Sequence, residues 1–385
     1  MTLTSEQLIQ IRRHLHSIPE LAMHEVKTHD YVLQVIQSFS QTNLEIKELP
    51  ELPTALLVLV KGSNPQRNIG YRCDMDALPV TETHESSYKS TNPGVMHACG
   101  HDLHTTVALG ILNYFSEHQP KDNLVFFFQP AEESESGGKV AYDLGAFSGD
   151  FHIDEFYGLH DNPLLKTGVI GCRMGTLFAG TTEVNITIHG KSGHAAYPHL
   201  ANDAIVIAAN FINQVQTVIS RSIDPIKCGV ITFGKMDAGV IRNVIAGEAR
   251  IEGTIRGLTQ EMIEFIRQRI SEIAEGLEKS FNCQIDVDYN QGGYYPVENN
   301  PKLTKRFINY MKENKNVSFE ETEPKMTGED FGYLINKIPG TMFWLGVESK
   351  GALHSADFLP NEAAIQKGIE AMVGFLGYRM NLEEE

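Results

Sequence analysis

Cys99 and His101, with the imidazoles of His97 and His104 beside them, crowd into the nine residues Met96-His97-Ala98-Cys99-Gly100-His101-Asp102-Leu103-His104. Thiolate and imidazole are the donors that borderline divalent metals select. A loop cysteine among surface histidines is the plainer alternative, so the remaining ligands and a base must be sought elsewhere in the chain. They recur where strand-like runs end. Asp74 and Asp76 follow Ile69-Gly70-Tyr71-Arg72-Cys73, and Glu132 and Glu133 follow Leu124-Val125-Phe126-Phe127-Phe128 through Gln129-Pro130-Ala131. His160 and Asp161 follow Glu155–Leu159, and His354 comes after the run Met342–Val347. In open α/β sheets the crevice beyond the carboxyl ends of the strands is where sites are built. Adjacent glutamates at such an end can point apart, one to ligate and its neighbour to act as general base. Taken singly, each residue has a structural use: Asp makes turns, a Glu pair decorates a surface, a lone His satisfies a core. The constellation points to metal-assisted hydrolysis.

The elements that must carry these residues alternate between helix and strand. Thr4 and Gln7 form a capping box ahead of Leu8, Ile11, Leu15 and Ile18 at helical spacing. A second helix is expected over about 24–39, then strands at Leu56–Val60 and Ile69–Cys73, the helix after Cys99, and the buried strand Leu124–Phe128. From about Thr181 the pattern changes. Thr182–His189 alternates strictly, followed by a helix over 202–220, strands at Gly229–Gly234 and Ala249–Arg256, a helix over 259–281 and a strand at Gln284–Tyr289. That βαββαβ order is the ferredoxin-like plan. A helix over 301–313, the strand Met342–Val347 and a final helix over 362–376 return to α/β character. The expected architecture is therefore α/β: a metallopeptidase-like catalytic domain with a central mixed β-sheet flanked by helices, residues 1–178 and 292–385, interrupted by an α+β ferredoxin-like lid and dimerisation domain at 179–291.

Composition narrows the partners. At 385 residues and 42% hydrophobic content the chain has material for two packed cores. A formal charge of −17 without a basic cluster argues against nucleic acid. The five scattered cysteines lack a Cys-x-x-Cys pair, which favours a reducing compartment. The Met1–Gln7 stretch has no basic region with an apolar core behind it, and no run of about 18 apolar residues occurs. A cytoplasmic protein without membrane spans is expected. The His-x-Glu and Pro-Cys-x-x-Cys pattern of a zinc nucleobase deaminase is missing.

From Arg12-Arg13-His14-Leu15-His16-Ser17-Ile18-Pro19-Glu20-Leu21 to Leu353-His354-Ser355 the chain resembles the aminoacylase and carboxypeptidase family of dinuclear metallohydrolases, in its amidohydrolase branch. His97–Asp102 and Gln129–Glu133 are the most specific stretches. The resemblance implies two divalent metal ions, zinc or manganese with cobalt acceptable, held by Cys99, His101, Glu133, His160 and His354, with Cys99 bridging. It implies Glu132 as the general base and Asp76 as an orienter behind the ligands; Asp74 occupies a position many relatives use for a ligand histidine, and its role stays open. Gly190–His199 is similar to the family's lid loop, in which the equivalent of His194 reaches into the partner subunit's site and stabilises the oxyanion. Asn243, Arg256 and Gly328 match positions that approach substrate, while Ala246 stands where relatives usually carry proline. The implied partners are a small N-acyl amino acid and further copies of the chain, as a homodimer or homotetramer. Within the branch, Met326–Tyr333 and Phe343–Val347 look closest to members that deacetylate N-acetyl-L,L-diaminopimelate on the lysine route. Hippurate-type hydrolysis, dipeptide cleavage and a non-catalytic metal-binding relative remain alternatives.

Overall fold

In a computed structural model residues 2–382 are described; Met1, first residue of the N-terminal stretch discussed above, lies outside them, as do Glu383–Glu385. The chain divides into two compact units. One comprises the residues through Leu177, Val297–Glu323 and the chain from Asp330 onward; the other comprises Phe178–Pro296 and Pro324–Glu329.

The first unit is built on an eight-stranded mixed sheet. Its order is Leu44–Leu49, Leu52–Val60, Asn123–Gln129, Asn68–Asp74, Glu155–Asn162, Gly340–Gly346, Val169–Cys172, Ser318–Glu321. The runs Leu56–Val60 and Leu124–Phe128 are buried at every position, as strands covered on both faces must be. Asn68–Asp74 runs parallel to both its neighbours, so the carboxyl ends that carry Asp74, Gln129 and His160 emerge on one side. His160 lies inside the strand Glu155–Asn162 rather than beyond its end, because pairing with Gly340–Gly346 continues through Trp344 and Leu345. The capping box of Thr4 and Gln7 opens helix Ser5–Ser17. Helix His101–Glu117 is buried almost all round because it lies between the sheet and helices Ser5–Ser17 and Ala363–Met380, where Leu8, Val107, Ile111 and Ile369 share one core.

Gly100, just ahead of that helix, has φ +75°, and a Cβ there would lie 2.5 Å from Asp161 Oδ2. Gly100→Ala therefore meets both left-handed strain and a buried carboxylate, and a loss of at least about 2 kcal/mol is expected. An unchanged urea midpoint would show that the turn relaxes freely.

The second unit has a four-stranded antiparallel sheet in the order Gly229–Ala238, Glu248–Gly257, Gly180–His189, Gln284–Asn290. Helices Ala204–Thr217 and Gln260–Phe281 supply Ile207, Phe211, Ile266 and Ile270 to a core shared with Val184, Ile186 and Ile251. Asp203 and Thr259 cap these helices with their side chains. Pro324–Glu329 joins this unit through the Ala179 N–H to Lys325 O bond and the Arg256 Nη1 to Met326 O bond, 2.9 and 2.8 Å. No described helix is long and apolar enough to cross a membrane.

Candidate metal centre

Three backbone devices bring distant donors together in the first unit. The left-handed turn at Gly100 sets Cys99 before, and His101 at, the first turn of helix His101–Glu117. Ala131 adopts φ +56°, unusual for a residue with a side chain, and its N–H is held by Glu25 Oε1 at 2.8 Å. That bend follows Gln129 and separates the directions of Glu132 and Glu133. His354, at φ +64°, donates its N–H to Ala98 O at 2.8 Å, which ties the C-terminal loop to the cysteine loop.

The donors form two triads that share one atom. Cys99, His101 and His160 each offer a ligand atom to one position, and Cys99, Glu133 and His354 to another. His160 Nε2 and His354 Nε2 stand 3.5 and 3.2 Å from Cys99 Sγ. Glu133 Oε1 is 3.4 Å from His354 Nε2 and 3.8 Å from His101 Nε2. Donors sharing a tetrahedral ion at about 2.0–2.3 Å are separated by about 3.3–3.8 Å, so the spacing fits. Two buried atoms in the cluster, His101 Nε2 and Glu133 Oε1, make no hydrogen bond within the protein. The residues present therefore suit a pair of cations joined by the thiol.

Charge points the same way. Burial, then Glu133, Asp161, Glu132 and Asp74, push the Cys99 thiol well above its ordinary range. Burial alone would depress His101, but Asp74, Asp76 and Glu133 outweigh it and hold the imidazole well above its usual value. So many carboxylates around few cationic groups leave the cluster short of positive charge.

Behind the donors lies a set of supports. Asp76 Oδ1 accepts from His101 Nδ1 at 3.2 Å while its Oδ2 accepts the Glu133 N–H at 2.9 Å, so one carboxylate orients both residues. Asp74 instead faces Arg72 Nη1 at 2.7 Å and His104 Nδ1 at 2.6 Å, with His101 Nε2 further off at 3.8 Å. His104 Nε2 accepts the Asp161 N–H at 2.9 Å, which puts the ring proton on Nδ1 toward Asp74. His160 Nδ1 donates to Asp161 O at 2.8 Å. The Asp330 N–H donates to Glu132 Oε1 at 3.2 Å, and its carboxylate is fixed by Arg72, Gln129 and the Gly138 N–H. Arg72 and Asp330 are absent from the candidate residues read from sequence, and His104 and Asp161, noted there beside the ligand candidates, carry no assigned role in that reading. Only the Gly328-Glu329-Asp330-Phe331 motif hinted at Asp330.

Glu25 is buried, and desolvation followed by the charge of Asp76 pushes its carboxyl up to about 7. A folded-state pKa above the unfolded value of 4.5 means that Glu25 favours folding below about 4.5, a contribution lost as pH rises through about 7. Glu25→Gln keeps an acceptor for the Ala131 N–H and removes the ionisation. The wild type is expected to lose on the order of 3 kcal/mol between pH 5 and 8 relative to the variant. Parallel urea curves for the two proteins across that range would remove Glu25 as the titrating group.

The remaining candidates lie in the second unit. His194 is exposed on the short strand Gly193–His194, paired with Val244–Ile245, and Ala195 N–H donates to Asn243 O at 3.2 Å. His194 Nδ1 accepts the Ala196 N–H at 3.1 Å, leaving the ring proton on Nε2. Arg256 sits elsewhere in the unit, its guanidinium on Met326 O, and Gly328 packs near Thr181.

A sheet with donors at its carboxyl edge, two donor triads sharing a thiol, and a neighbouring glutamate together suit a hydrolase-type metal centre. The model of Peptidase family M20/M25/M40 matches residues 70–377, and the chain belongs to that family. Among curated proteins it is 68% identical over 378 residues to the N-acetyldiaminopimelate deacetylase of Limosilactobacillus reuteri (strain DSM 20016), covering 98% of this chain and 99% of that one. The protein of the same name from Pediococcus pentosaceus is 58% identical over 381 residues, 99% of each chain. Among solved structures, a protein from methicillin resistant Staphylococcus aureus superposes with TM-score 0.93 at 32% identity, covering 98% of this chain and 97% of that one. The Bacillus subtilis YXEP protein, a dinuclear metal binding peptidase of the M20 family, superposes with TM-score 0.86 at 27% identity, covering 98% of each.

Proposed function

We propose that this chain hydrolyses N-acetyl-L,L-diaminopimelate to L,L-diaminopimelate and acetate, a step of lysine biosynthesis, using two divalent cations. The observation that carries the chemistry is the pair of donor triads meeting at one thiol beside Glu132. Support for the substrate comes from relatives of 58–68% identity over nearly the whole chain that bear the deacetylase name.

In this reading Cys99, His101 and His160 would hold one cation, and Cys99, Glu133 and His354 would hold the other. When bound, such ions polarise the amide carbonyl and lower the pKa of water from 15.7 towards about 7. Glu132 takes the proton of the attacking water and returns it to the leaving amine. The Asp330 N–H keeps the Glu132 carboxylate turned to that task, and Asp76 fixes His101 and Glu133. His194 would donate from Nε2 to the developing oxyanion, and Asn243, Arg256 and Gly328 would meet the amino-acid portion. We infer that His194 acts across a homodimer and that the protein works in the cytoplasm, a setting supported by five cysteines of which none is paired. The shared thiol favours zinc, with manganese or cobalt as substitutes.

Acetate release by purified protein, supplied in turn with zinc, manganese and cobalt, tests the assignment. N-acetyl-L,L-diaminopimelate should be the preferred substrate over N-acetyl-lysine, hippurate and dipeptides. Faster hydrolysis of hippurate would move the chain to that substrate class, and no turnover with any metal would make it a binder.

A further inference from the structure

His16, Glu82 and His84 form another group of metal donors, away from the Cys99 triads, with ligand atoms all within 4.8 Å of one another. Glu82 Oε1 lies 3.3 Å from His16 Nε2 and 3.0 Å from His84 Nε2. Asp102 Oδ2 accepts from His16 Nδ1 at 2.7 Å, so in a neutral ring the Nε2 lone pair faces the carboxylate oxygen. Two lone pairs at that distance repel unless a proton or a cation stands between them. Carboxylate, imidazole and metal in series is the usual arrangement behind a ligating histidine. Burial and Arg12 lower the His16 imidazole, but Asp102 and Glu82 outweigh them and hold it above its ordinary value, and its proton satisfies Glu82 when no cation is bound; yet both ring nitrogens of His84 are buried without a hydrogen bond, Nε2 included despite its closeness to Glu82. Burial also holds the His84 imidazole below its ordinary value, so its lone pair is available at neutral pH. The other Glu82 oxygen is anchored by the Ser90 N–H at 2.7 Å. The nearby guanidiniums are paired, Arg12 with Asp102 at 2.9 Å and Arg13 with Glu362 at 2.7 Å, so neither is an uncompensated charge.

We propose that His16 Nε2, His84 Nε2 and Glu82 Oε1 form a further cation site, selective for a borderline divalent ion such as zinc. Two imidazoles and one carboxylate disfavour magnesium and calcium. The ion would pin the irregular segment around residues 82–90 to helix Ser5–Ser17. Thr83 reaches Ala356 O through its N–H and hydroxyl at 2.9 and 3.1 Å, two residues beyond His354, so the pinned segment also steadies that loop. The site therefore holds structure and takes no part in the reaction.

Zinc titration of the purified protein, with bound metal counted after gel filtration, tests this directly. The wild type is expected to hold three equivalents, His84→Ala and Glu82→Gln two, and Cys99→Ala one. With cobalt in place of zinc, the equivalent lost in His84→Ala should lack the near-ultraviolet thiolate band that the other two carry. A wild type that stops at two, with His84→Ala also at two, overturns the proposal, as does a His84→Ala protein that keeps three. Should the Cys99 triads hold no metal, the wild type would bind one and His84→Ala none, so the two readings fail separately.

Discussion

Glu132→Gln is expected to lower kcat by roughly 10²–10⁴-fold, the range that a positioned general base contributes, while both cations stay bound. Glutamine keeps the size of the side chain and an oxygen for the Asp330 N–H, now 3.2 Å from Glu132 Oε1, but it cannot accept the proton of the attacking water. Because Glu132 belongs to neither donor triad, its loss separates turnover from metal content. Acetate release and metal analysis on one preparation read both quantities. A variant within threefold of wild type would falsify the assignment of Glu132 as base.

Cys99→Ala is expected to remove both catalytic cations together, with activity falling beyond the 10–100-fold typical of losing a mere outer partner. His160→Ala and His354→Ala each open one triad only, so each should release about one equivalent. The contrast between losing two and losing one is what a shared thiol demands. If Cys99→Ala shed the same amount of metal as His354→Ala, the sulfur would serve one position and the bridge would have to be a carboxylate.

Much of this was legible because ligand chemistry is local in sequence. His97–Asp102 and Gln129–Glu133 announce their donor types without reference to any partner, and long apolar runs such as Leu124–Phe128 identify themselves as central strands. The αβ order of the second unit was equally open, since Gly180–His189 alternates strictly and Thr259 caps a helix of 22 residues.

What escaped depends on long-range contact. Arg72, Gln129 and Asp330 are held by bonds spanning up to 258 residues, and no spacing along the chain encodes them. His104 stands in the motif itself, yet only the folded chain shows that it links Asp74 to Asp161. Short elements were missed for a related reason. Val169–Cys172 and Ser318–Glu321 have four residues each, too few for a period to emerge, and Phe331–Lys337 is a two-turn helix. By sequence His160 follows its strand because Tyr157-Gly158-Leu159 reads as the end of an apolar run; in the fold, backbone pairing carries on past the change in polarity.

The protonated state of the thiol at position 99 has a consequence for how the protein matures. Shut away from solvent and crowded by carboxylates, the sulfur is biased towards its protonated form, so the first ion to take it as a ligand would displace its single hydrogen. Assembly is then an acid-releasing event, and mild acidification should slow or reverse it, by up to about tenfold for every proton displaced per pH unit.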